Sequence, residues 1–124
     1  MKKGLLIGFT KWQIECAYNI YKDYLSKKDI GLDLLKIDEY VICIENGKSS
    51  IDINKYDFCI MLVKDQYIST LFEKKNKFCF NAYDAMRSSD DKFLTYVKLA
   101  EKGLPLPKTL SGNTDFDGLK ISDY

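Results

Sequence analysis

The stretch Gly4 to Phe9 reads GLLIGF, and its reading decides the fold class. A short, unbroken apolar run is the pattern of a strand buried on both faces. Thr10 follows it and can cap a helix. Trp12, Cys16, Ala17, Ile20, Tyr24 and Leu25 then recur at helical spacing through Lys28, and Gly31 ends that segment. Leu32 to Ile37 supplies the second strand. Strand, helix, strand argues for parallel pairing through a right-handed crossover.

Working outward, Val41 to Glu45 and Lys48 to Ile53 flank Asn46-Gly47, the strongest short-range hairpin signal. They predict a small two-stranded flap. Asp57 to Val63, DFCIMLV, predicts the next buried strand. Gln66 to Lys75 predicts a helix with Tyr67, Ile68, Leu71 and Phe72 inward, and Lys77 to Phe80 a short strand. Ala82 to Arg87 reads as a short helix. Ser88 or Ser89 can cap a longer one, with Asp90 and Asp91 favourable in its first turn. Phe93, Leu94, Val97, Leu99 and Ala100 form its apolar face, Gly103 closes it, and LPLP at 104–107 is extended. The expected architecture is a three-layer, Rossmann-like α/β domain over residues 1–110, with a mostly parallel open sheet, flanking helices and a hairpin excursion. Residues 111–124 read as the start of a linker, with a weak strand signal at Leu119 to Ile121.

A chain of 124 residues, 46% apolar, suffices for one domain with a core. Nineteen basic and eighteen acidic residues, mixed along the chain, give no nucleic-acid footprint. No apolar run approaches the ~18 residues of a membrane span. Cys16, Cys43, Cys59 and Cys79 are scattered among apolar neighbours with no CxxC spacing, so buried free thiols in a reducing cytoplasm are expected. No metal site is expected among these residues.

The chain has no histidine, which excludes Ser-His-Asp, Cys-His and histidine acid–base schemes within it. The first strand ends in GFTKW, without GxGxxG or GxxxxGK[ST], so a standard dinucleotide or P-loop turn is absent there. Open α/β sheets collect ligands at the carboxyl ends of their strands. Thr10, Lys11 and Trp12 follow the first strand, Lys64 and Asp65 the third, and Asn81 the fourth. Lys92, at the start of the longer helix, has two readings: a solvated surface cation, or a flexible point charge aimed at phosphate oxygens. Arg87 could add charge to the same edge. Asp57 and Asp65 read first as loop caps, with a cleft-facing carboxylate as the alternative.

From Asn81 the chain resembles the entry to an ATP-grasp ligase, most like the RimK-like and glutathione-synthase-like branch. The resemblance rests on Asn81, the small helix at 82–86, SSDDKFLTYVKLAEKG and the LPLPKT exit, about a quarter of the chain. It implies a preATP-grasp domain, itself without catalytic residues. In such enzymes ATP and magnesium convert a carboxylate to an acylphosphate, which an amine attacks. The match implies a phosphate contact for Lys92 and a place on the substrate side for Asn81. It also implies partners: a C-terminal ATP-grasp domain carrying the magnesium carboxylates and adenine pocket, and small-molecule or peptide carboxylate and amine substrates. A homo-oligomer is compatible. The chain departs from the family at Lys64, where an arginine is usual. The alternatives are a stand-alone α/β binding or receiver-like module, and a non-catalytic interaction domain.

Overall fold

A computed structural model describes residues 1–111 of the protein. The described elements are β1 (Lys2–Gly8), α1 (Ile14–Ser26), β2 (Ile30–Lys36), β3 (Ile44–Glu45), β4 (Lys48–Ser49), β5 (Phe58–Met61), α2 (Gln66–Glu73), β6 (Phe78–Phe80), α3 (Tyr83–Asp90) and α4 (Lys92–Glu101). Four strands form a parallel sheet in the order β2-β1-β5-β6. The fold is therefore α/β with a parallel sheet, as the GLLIGF run predicts.

The unbroken apolar run of β1 hides a two-residue alternation. Leu5 and Ile7 face a core that includes Cys59, Met61, and Ile68 and Phe72 from α2. Leu6 faces the other way, toward Ile14 of α1 and Leu32 of β2. Two glycines make this second face close. The Phe58 ring occupies the space a Cβ on Gly4 would need, and the Ile14 side chain occupies that space at Gly8. Sheet and helices thus form layers, with α1 packed on β2 and α2 on β5 and β6. Lys77, half-buried, donates from Nζ to the carbonyls of Ile53, at 2.7 Å, and Tyr56, tying the approach to β5 to the start of β6.

The hairpin forms where Asn-Gly places it. β3 and β4 pair antiparallel, and Asn46 and Gly47 both have positive φ, 51° and 73°. The paired strands are shorter than the expected runs because only two residues on each side join the ladder.

Several local expectations need correction. Thr10 does not cap α1. It begins a single 3₁₀ turn, and α1 starts at Ile14 after Gln13, which takes φ 52°. The buried register of α1 is Ile14 with Ala17, Tyr18 and Leu25, whereas Cys16, Ile20 and Tyr24 are exposed. α1 ends at Ser26, and Gly31 lies inside β2. Cys16 and Cys43 are exposed, so only Cys59, buried, and Cys79, half-buried, fit the expected buried thiols. Burial pushes both of the latter thiols above their ordinary value. The strand expected over residues 57–63 spans only Phe58–Met61, and Tyr67 points outward from α2. α3 runs past Arg87 to Asp90, so Ser88 is buried within it and Asp91, not a serine, caps α4. The signal at 119–121 lies outside the described residues.

The chain divides into two units between Arg87 and Ser88. The first holds the sheet. In the second, Asp91 accepts from the Leu94 backbone N–H at 3.0 Å, and Thr95 Oγ1 donates to the carbonyls of Ser88 and, at 3.0 Å, Asp91. Gly103 (φ 72°) closes α4. Its N–H donates to Ala100 O, and the Leu104 N–H to Leu99 O, the double bond of a Schellman end.

Candidate functional site

The four sheet strands end nearly level. Gly8 pairs with Lys36, Ile7 with Met61, and Ile60 with Phe80. The segments leaving these ends carry Thr10 and Lys11, Asp38 and Glu39, Lys64, and Asn81, so one edge of the sheet gathers four of the expected site residues.

Thr10 is fixed at this edge by two acids. Its N–H and hydroxyl meet Asp38 Oδ1 at 3.0 and 3.1 Å, and the hydroxyl also lies 3.2 Å from Glu39 Oε1. The backbone N–H of Thr10 holds the Asp38 carboxyl below its ordinary value, against an opposing burial penalty. Lys36 binds Glu15 at the start of α1 and lies 3.9 Å from Glu39. Its bond to the Glu15 carboxylate raises the Lys36 ammonium and lowers the Glu15 carboxyl. Lys11 Nζ stands 5.3 Å from the centre of the Phe9 ring. Lys11, Lys64 and Asn81 are exposed.

Asp38 and Glu39 belong to this site and were not singled out from the sequence. Their signal was available: two consecutive acids leave a buried strand in KIDEY. The two other aspartates resolve as structural. Asp65 caps α2, accepting from Ile68 N–H at 2.8 Å, and Asp57 accepts from Lys3 N–H at 2.7 Å at the opposite end of the sheet.

Arg87 is exposed near the end of α3. Lys92 is exposed as the first residue of α4. A cation there opposes the helix dipole, which favours negative charge at this end. Asp91 supplies the cap, and Lys92 gains nothing from the dipole by its position.

From Asn81 a groove of about 660 Å³ runs down the face of the sheet that carries α1. Tyr21 and Tyr24 of α1 form one wall, and Phe58, Phe78 and Phe80 the other. Among the described residues, no group of three or more His, Cys, Asp or Glu is placed to hold a metal ion, and no helix is long and apolar enough to cross a membrane. Comparison with known proteins found no matching family model, no similar curated protein and no similar solved structure.

Proposed function

We propose that this chain is the N-terminal domain of an ATP-dependent carboxylate–amine ligase of the ATP-grasp type. The observation that carries the reading is the boundary pattern after the sheet. Asn81 leaves the last parallel strand at its carboxyl end, Lys92 opens a capped helix, and that helix closes at Gly103 before LPLPKT. Those are the positions on which the family resemblance rests.

The residues present suit a partial share in nucleotide binding. Lys92 offers one exposed ammonium for phosphate oxygens. The turn after β1, Phe9-Thr10-Lys11, has no glycine-rich cradle, and its Thr10 N–H is already bonded to Asp38. ATP and Mg²⁺ are therefore held chiefly by a following ATP-grasp domain, which supplies phosphoryl-transfer chemistry. Thr10, Lys11, Lys64 and Asn81 line the substrate edge, where the lysines favour a carboxylate. Arg87 adds a further cation. The work is done in the cytoplasm, where the exposed thiols of Cys16 and Cys43 stay reduced.

Acylphosphate trapping tests this reading. The native gene product is incubated with Mg–ATP, a mixture of amino-acid and peptide carboxylates, and hydroxylamine. Hydroxylamine displaces phosphate from an acylphosphate and leaves a hydroxamate. Hydroxamate that depends on ATP is the expected result; ATP left intact across the mixture contradicts it.

A second reading, a stand-alone ligand-binding module, is favoured by the groove. Its volume and aromatic walls fall in the range of small-molecule sites. Its two ends carry Lys2 and Asp57 at one and Asn81 at the other, so its polar groups do not converge on one ligand.

A further inference from the structure

β6 is the last strand of the sheet, and among the described residues no strand pairs with its outer edge. It reads Phe78-Cys79-Phe80. Its three residues carry no charge, proline or bulge, so the edge can take another strand, and its shortness limits that pairing to a few backbone hydrogen bonds. Its two faces differ sharply. Cys79 turns toward the core with Sγ 3.8 Å from Ser69 O, whereas Phe78 and Phe80 are 75% and 56% exposed on the opposite face. The two rings stack on each other with centroids 6.3 Å apart, and Phe80 meets Phe58 edge-on at 6.0 Å. α1 packs on β2, and this aromatic ridge lies at the outer rim of the groove, on the β5–β6 side of the same face.

We propose that the β6 edge is a self-association surface that pairs antiparallel with β6 of a second copy, about a two-fold axis at Cys79. The register follows from symmetry. A two-fold axis normal to the sheet keeps each face on its own side, and directly opposed residues share a face. Strand centres that oppose Phe78 to Cys79 are therefore forbidden. Centring on Phe78 or on Phe80 leaves the other phenylalanine beyond the paired segment. Centring on Cys79 sets Phe78 against Phe80 of the second copy, and Phe80 against its Phe78. Both are cross-strand aromatic pairs, which stabilise a sheet. The strand is thus complementary to itself, and the four-stranded sheets join into one of eight.

Size sets the strength. The two rings expose roughly 250 Å² in each copy. Opposing them across two copies brings together roughly 500 Å² of exposed ring surface, so the contact belongs with the weak, transient interfaces. A reversible, micromolar dimer is the corresponding outcome.

Sedimentation velocity on the 124-residue chain, from about 5 to about 500 µM, spans this affinity. The expected result is a shift with concentration from the 14.4 kDa monomer to a dimer. Phe78→Lys should abolish that shift while leaving the circular dichroism spectrum unchanged, since the ring is exposed. The register has its own test on a Cys16→Ser, Cys43→Ser, Cys79→Ser background, which removes the exposed thiols and the one that the register sets against its own copy. A Phe78→Cys chain mixed with a Phe80→Cys chain should oxidise mainly to the mixed disulfide. A monomer at every concentration overturns the proposal, as does a dimer that persists in Phe78→Lys. Preferential homodimer disulfides overturn the register.

Discussion

Tyr56, Asp33 and Lys3 form a small network that links the loop before β5 to β2 and β1. Tyr56 Oη donates to Asp33 Oδ2 at 3.0 Å, and Lys3 Nζ sits 2.8 Å from the same oxygen. Burial pushes the Asp33 carboxyl up, but the bonds from Lys3 and Tyr56 outweigh it and leave it below its ordinary value. The Tyr56 phenol is pushed up to about 12, first by burial and then by its bond to the Asp33 carboxylate. An unfolded tyrosine ionises near pH 10, about its ordinary value. The contribution of Tyr56 is therefore whole below about pH 10 and lost as pH rises to about 12. Urea midpoints measured across that window should fall, and Tyr56→Phe should flatten the fall. Gly4 gives a second residue-scale expectation. Gly4→Ala drives a methyl into the Phe58 ring and should destabilise the protein by about 1–3 kcal/mol, read from the same midpoints. Neither partner was legible in the sequence, because the contacts join residues more than twenty positions apart. The α1 register failed for a related reason. Trp12, Cys16, Ile20 and Tyr24 share a helical stripe by spacing, but the left-handed Gln13 resets the helix start and Ile14 becomes its buried residue.

At the scale of elements, α2 and α4 are held by different means. Ile68 and Phe72 of α2 are fully buried. Phe72→Ala should cost about 3–5 kcal/mol of global stability in urea unfolding. No described residue of α4 is fully buried, so its ends carry more of its definition. Removing the cap with Asp91→Ala should cost about 1 kcal/mol locally. Hydrogen exchange at the Leu94 amide should quicken about fivefold, with the amides of β1 unchanged. These ends were partly legible. Gly103 and the prolines beyond it place the stop correctly, and a cap was expected in SSDD. Its identity was not, since serine and aspartate cap equally well and only the length of α3 decides between them.

At the scale of the whole molecule, the parallel sheet was legible because buried strands leave unbroken apolar runs. Which strand of the sheet α1 packs on was not. KFCF reads simply as a short strand, and only the structure shows that its phenylalanines are exposed. The candidate edge was legible through the rule that strand ends collect ligands, which placed Thr10, Lys11, Lys64 and Asn81 there. Asp38 and Glu39 were overlooked because their partner, Thr10, was expected to cap a helix. The functional account turns on Lys92 as a phosphate contact, and titration of Mg–ATP into the native gene product tests that most directly. The wild-type protein is predicted to bind nucleotide, and Lys92→Ala to weaken binding about 10–100-fold, the loss of one charge-assisted hydrogen bond. Equal affinity in the two proteins, or no nucleotide binding by the wild type, would contradict the account.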